Sequence, residues 1–372
     1  MTTAGVPVRW RLPTMAGAAV ALLGGLYAAL LLLGVPVLAP PSPVEDVHGP
    51  VMVLGFAGTL IALERAVALG RRWALLAPAS SALGAVVLLA AGPVWPGRLL
   101  MVIAGAALLG VYLALWNRQR TLALLAQAAG AFAWYAAALL WLAAFTIPEI
   151  VPWLATFVVA TIAGERLELA HVVVLGRDAE RWFRIALFAL VLSATATTVA
   201  PVAGTHVFGL SLLAVTAWLA VFDVARRTVR ATGLPRYAAT GLLTGYAWLA
   251  LAGLLWAGAG PAHDGARYDA TLHAVFLGFV ISMIFVHAPV ILPAVLRRPL
   301  PYHPVLYLPL ALLHLSLLVR VVLGDAAGLE PVWRWAGTVN VLSLLLFAAC
   351  AVTLSIRRTR TPGTTDRTGV LS

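Results

Sequence analysis

The sequence predicts an all-α, polytopic integral membrane protein of about twelve transmembrane helices. Composition, the length of the apolar runs and the placement of arginine between them carry that prediction. Of 372 residues, 62% are hydrophobic and 10% are charged, whereas a soluble domain carries roughly a quarter charged residues. A water-soluble fold of this length could not hide so much apolar surface. The net charge of +11 does not point to nucleic acid, because the arginines sit in short clusters between apolar runs and form no basic domain.

The runs follow one another with short breaks. They lie at 16–38, 49–69, 73–93, 98–116, 121–145, 151–176, 183–202, 206–225, 236–258, 269–296, 304–323 and 334–356. Each approaches or exceeds the roughly 20 residues that a helix needs to cross the hydrocarbon core. They are continuous rather than alternating, which excludes barrel strands. The first run is too long for a signal-peptide core and reads as a retained span. The chain then divides into a cytoplasmic tail at 1–15, a membrane domain at 16–356 and a disordered cytoplasmic tail at 357–372.

Charge placement supports the count. Arg9 and Arg11 precede the first run, and even-numbered connections hold Arg71–Arg72, Arg118–Arg120, Arg177 to Arg184, Arg226 to Arg236 and Arg297–Arg298. Arg357, Arg358 and Arg360 follow the last run. Odd-numbered connections hold Glu45, Asp46, Glu149, Asp264, Asp269, Asp325 and Glu330. This alternation is the positive-inside pattern of an even number of spans in a cell (inner) membrane, with both termini cytoplasmic. Cys350 is alone, so no intramolecular disulfide, c-type haem attachment or thiolate pair is expected.

Most polar residues inside spans fall on the second, sixth and tenth. The segment from Thr59 to Arg65 also resembles that from Thr161 to Arg166. Spacing by four spans fits three four-helix units in a pseudo-threefold arrangement, or chance similarity between apolar stretches. Ionisable groups inside a span are functional candidates, and here they form two layers. The outer layer holds His48 and His273, at matched depth on different helices. Two neutral imidazoles so placed can ligate a planar metallocycle from two sides, or can simply point to water at the boundary. Gly55, two helical turns below His48, and Gly278, below His273, would permit close approach. Arg320 and Arg334 are placed to neutralise the carboxylates of a haem, or to snorkel. The inner layer holds Glu64, Arg65, Glu165, Arg166, Glu168, His171 and His287. Glu168 and His171 stand at i and i+3, a spacing used by metal-carboxylate bundles, so a second metal such as copper or iron is one reading. An ion-pair network and a proton path are the others. His314, near the middle of the eleventh span, reads as a hydrogen-bonded interior residue.

The segment from His48 to Phe56, HGPVMVLGF, resembles the second-span motif of the NnrS family. The segment HAVFLG from His273 to Gly278, continuing to Met283 and Ile284, resembles a later motif of that family. Both look distantly related to the heme–copper oxidase catalytic subunit. The resemblance implies twelve helices, bound haem b with His48 and His273 as iron ligands, and a link to nitric oxide or nitrosative stress. The sixth span, with Trp153 and Thr156, has no His where an oxidase places a copper ligand. The seventh has no His pair and the tenth no His-x-His, so terminal oxidase chemistry is not implied. The expected function is a bis-His haem protein that binds a diatomic gas or passes electrons to a redox partner. A proton-coupled secondary transporter and a structural or assembly subunit of a respiratory complex are the alternatives.

Overall fold

The computed structural model describes residues 6–38, 40, 42–170 and 176–359. Among the described residues, 86% are helical and none is in a strand. Twelve helices among the described residues are long and apolar enough to cross a membrane: α1 (Val8–Leu32), α2 (Val44–Leu69), α3 (Arg72–Ala91), α4 (Trp95–Trp116), α5 (Leu122–Leu142), α6 (Ile147–Ala170), α7 (Arg177–Val199), α8 (Pro201–Phe222), α9 (Leu234–Ala259), α10 (Gly265–Val295), α11 (Pro304–Ala326) and α12 (Glu330–Ile356). The protein is an all-α, multi-pass membrane protein.

The middle helices follow the sequence expectation closely, but α1 is displaced toward the N-terminus. It starts at Val8 rather than 16 and ends at Leu32. Two local causes account for this. Gly34 takes a left-handed conformation (φ +68°) that stops the helix. At the other end, Arg11 is buried inside the helix rather than free in a tail. Its guanidinium donates to the carbonyls of Val6 and Val295, and so ties the start of α1 to the end of α10. The cytoplasmic tail expected at 1–15 is therefore helical from Val8. The tail expected to be disordered lies largely outside the described residues.

Consecutive helices pack against one another, and the close approaches are made by small residues. A Cβ on Gly130 would strike Thr161 and the Phe157 carbonyl, and one on Gly164 would strike the Ala123 carbonyl, so α5 and α6 meet almost backbone to backbone. The centre of the bundle is occupied by α6, whose most apolar stretch is 83% buried, and by α2 and α10, each 61% buried. These are the three helices on which the sequence concentrates its polar residues. Leu83, Phe188, Leu254, Leu315 and Val352 project outward, as a lipid-facing surface requires. Exposed Trp10, Trp73 and Trp182 begin helices at the Arg-rich end, and Trp95 and Trp335 begin helices at the acidic end. Tryptophans at both ends of the bundle match the aromatic belts of a spanning protein.

Three helices carry π-helical segments among the described residues: α2 at Val51–Gly58, α10 at Ala274–Ile281 and α11 at Arg320–Ala326. Such wide turns are rare and concentrate at functional sites. Each starts within three residues of, or at, an outer-layer candidate: His48, His273 and Arg320.

Candidate functional site

The acidic end of the bundle contains a cavity of about 430 Å³. Its walls come from α1, α2, α6, α10, α11 and α12, and both His48 and His273 line it. The three central helices thus converge on one space, as expected if α2 and α10 present ligands across α6. The deeper wall is apolar, with Leu154, Val158, Phe276, Val280 and Leu344. Polar groups gather toward the acidic end: Glu45, Asp46, Asp269, Arg320 and the Trp333 indole.

Each imidazole is held by one nitrogen. His48 Nδ1 lies 2.9 Å from the Gly25 carbonyl oxygen of α1. A carbonyl only accepts, so Nδ1 carries the proton and the Nε2 lone pair stays open. His273 Nδ1 lies 2.8 Å from the Asp269 carbonyl and 3.2 Å from its carboxylate Oδ1, one helical turn back. That fixes the same tautomer. Neither Nε2 has a hydrogen-bond partner among the described residues. A histidine anchored through Nδ1 on a carbonyl or carboxylate, with Nε2 open, is the arrangement of an oriented metal ligand.

Asp269 is itself fixed. Arg320 grips it with Nε and Nη2 at 2.8 and 2.6 Å, and Trp333 Nε1 donates to it at 3.0 Å. The Arg320 guanidinium also lies 5.1 Å from the Trp333 ring centroid. A buried bidentate pair of this kind holds its carboxylate in one orientation. The second ring is therefore set by a chain running from Arg320 through Asp269 to His273. In sequence Asp269 reads only as a loop acid, and neither its i, i+4 contact with His273 nor its link to α11 was expected.

Arg320 Nη1 stays outside the Asp269 bond. It lies beside Gly337, where a Cβ would strike Leu33 at 2.5 Å and come within 3.2 Å of Arg320 Nη1. Asn340, also in the wall, is 3% exposed. Its amide nitrogen donates to Ser316 Oγ at 2.6 Å, while its Oδ1 is buried without a partner among the described residues. An unmet acceptor in a cavity wall marks a position where an occupant can donate.

Three expectations change. Arg334 does not join the wall; it is half-exposed and pairs with Glu330 at i and i+4. Gly55 and Gly278 do not open space for a ligand. A Cβ on Gly55 would strike Ala85 of α3, and one on Gly278 would strike the Trp248 side chain of α9. Both lie inside π segments, where i→i+5 bonding turns each residue through a smaller angle than an α-helix does. A face assigned at α-helical phase therefore drifts onto a neighbour.

The inner layer also rearranges, into two clusters. In one, Arg166 Nε and Nη2 grip Asp223 of the α8 terminus at 2.6 and 2.9 Å. Tyr246 donates to Asp223 at 2.6 Å, and the Ala225 amide donates to it at 2.7 Å. His287 Nδ1 is occupied by the Met283 carbonyl, so its Nε2 accepts from Arg166 Nη1 at 3.3 Å. In the other cluster, Arg65 pairs with Glu64, stands 4.0 Å from Glu165, and donates to Gln127 Oε1 at 3.2 Å. Glu168 is exposed and joins neither. His171 lies outside the described residues. Among those described, no three His, Cys, Asp or Glu residues converge as metal ligands, and the arginines occupy the carboxylates. The ion-pair reading fits the geometry of Arg65 and Arg166, and the metal reading, which needs His171, falls partly outside the described residues. Sequence reading missed Asp223, Tyr246, Gln127 and Tyr112. Asp223 could have been found as an acid against the charge bias of the Arg-rich end, and Gln127 as a lone amide in an alanine-rich span.

His314 is fully engaged between three helices. Thr244 Oγ1 and Ser282 Oγ lie 3.0 and 3.2 Å from its Nε2, and Trp248 Nε1 donates to its Nδ1 at 3.0 Å.

A family model described as a domain of unknown function, DUF8744, matches residues 11–356. The chain belongs to that family. The DUF8744 match takes in every residue of the cavity wall and both inner clusters. No curated protein and no solved structure matches the chain.

Proposed function

We propose that this protein binds haem b through His48 and His273 and serves as an NnrS-like membrane haem protein, in electron transfer or in the response to nitric oxide. The observation that carries the reading is one cavity lined by two imidazoles, each anchored through Nδ1 with Nε2 open. The chemistry of the cavity fits the group. Its size falls within the roughly 300–1,000 Å³ of cofactor sites, and its deep wall is apolar, as a porphyrin requires. Arg320 is the one cation among the residues lining it, and its Nη1 is available to a haem carboxylate. A bound haem b would supply one-electron chemistry, or an iron site for a diatomic ligand.

The residues around it divide the work. Asp269, held by Arg320 and Trp333, orients His273 and raises its basicity as a ligand. His48 is held by a single carbonyl, near the entry of α2. It is the easier ligand to displace and is the side we assign to an incoming gas. A smaller cavity of about 80 Å³ shares Val151, Tyr268 and Leu272 with the first, and offers a small ligand an approach from the acidic end. On the positive-inside rule we assign the Arg-rich end and both termini to the cytoplasmic side, with the proposed haem cavity toward the opposite side of a cell (inner) membrane.

The test is an absorption spectrum of the purified protein. It should show a Soret band and, on reduction, a sharp α band. His273→Ala should lose the band while the protein stays folded. A folded wild-type protein without haem absorbance after expression with haem supplied would overturn the proposal.

A further inference from the structure

The two inner clusters differ in one respect that points to a second site. Around Arg166 and Asp223 the polar atoms find partners. Around Arg65 three donors do not: the Tyr112 hydroxyl, the Gln127 amide nitrogen and Arg65 Nε are all buried with no acceptor among the described residues. Tyr112 and Gln127 are each 1% exposed. They come from three adjoining helices, α4, α5 and α2: Gln127 Oε1 accepts from Arg65 Nη1, and Val111, next to Tyr112, packs with Ala66, next to Arg65. A buried donor left unsatisfied is costly, and here three lie on adjoining helices. Buried water is the usual remedy when two or more polar partners converge. An anion would also accept from all three, but two carboxylates beside it disfavour that occupant.

The carboxylates give the water somewhere to lead. Arg65 pairs closely with Glu64, and Glu165 stands 4.0 Å away. Two carboxylates thus share one guanidinium. Glu64 and Glu165 keep about a quarter of their side chains exposed, 23% and 24%, in the half of the bundle nearer the Arg-rich connections. The groups facing Glu165 are Glu64 and Arg65 of α2, Tyr112 of α4, and Arg166 and Glu168 of its own helix.

We propose that Tyr112, Gln127 and Arg65 hold a buried water cluster through which Glu165 exchanges protons with the Arg-rich face of the protein. A hydronium at that face gives one proton to the cluster and leaves as water. The cluster passes a proton to a Glu165 oxygen, forming an O–H bond, and the reverse sequence returns it. No redox step is involved, and the site stands whether or not the outer cavity holds haem.

The test uses the full chain in lipid nanodiscs and infrared difference spectra between acidic and alkaline buffer, in H₂O and D₂O. A protonated-carboxyl band that shifts in D₂O is expected. It should be lost in Glu165→Gln and kept in Glu168→Gln. Tyr112→Phe should keep the band and slow its exchange into D₂O severalfold. A band that survives Glu165→Gln, or exchange unchanged in both Tyr112→Phe and Gln127→Leu, would overturn the proposal. Should Glu165→Gln fail to fold, Glu165→Asp must shift the band, and an unshifted band would overturn it equally.

Discussion

Both imidazoles at the acidic end keep one nitrogen open toward a cavity, while the Arg166 cluster at the Arg-rich end uses its donors and acceptors on itself. The polar residues are of similar types. What differs is the helix geometry around them. At the acidic end, α2, α10 and α11 pass through π segments beside His48, His273 and Arg320, and the packing leaves about 430 Å³ unfilled. At the other end α6 is regular, and Arg166 reaches Asp223, His287 and, through Asp223, Tyr246. Polar residues at a helix junction act as a lock when they saturate one another and as a receptor when the backbone holds them apart.

That contrast can be broken or sharpened by substitution. The largest effect is expected at His273→Ala: complete loss of haem absorbance, read against protein absorbance, with little change in thermal unfolding. Asp223→Ala should do the opposite. It leaves Arg166 buried and unpaired, costs about 3–5 kcal/mol in a denaturant titration, and leaves haem absorbance per folded protein intact. Asp269→Asn removes the carboxylate that orients His273 and should weaken haem retention about 10–100-fold, measured by transfer to apomyoglobin. Gly278→Ala pushes a Cβ into Trp248 and should cost about 1–3 kcal/mol, measured by thermal unfolding. Arg334→Ala, at the exposed Glu330 pair, should change stability by less than about 0.5 kcal/mol and leave the spectrum unchanged.

The sequence is explicit where one-dimensional pattern is sufficient. Apolar run length and the alternation of Arg-rich with acidic connections give the twelve helices, because lipid imposes both. The second, sixth and tenth helices stand out in sequence through their concentration of polar residues, among them His48, Glu64, Glu165, Arg166, His273 and His287, and they are the most buried ones. His48 and His273 were legible as a pair of ionisable groups at one depth. The remainder depended on contacts between distant segments. Asp223 meets Arg166 across 57 residues, and Arg320 meets Asp269 across 51, with no local pattern to announce either. The π segments were also not expected: Pro50, which lacks a backbone N–H, stands directly before the first, and nothing in HAVFLG announces the second. That is why Gly55 and Gly278 were assigned to the wrong face. Arg11 misled for a related reason: a basic residue near an N-terminus reads as a free tail charge until the carbonyls that receive it are seen.

Electron paramagnetic resonance of the ferric protein, wild type beside His48→Ala and His273→Ala, probes the pairing of the two imidazoles most directly. The account predicts a low-spin signal in the wild type, a high-spin signal in His48→Ala where one axial ligand remains, and little or no haem in His273→Ala. A low-spin signal that persists unchanged in both variants would show that these histidines do not hold the iron.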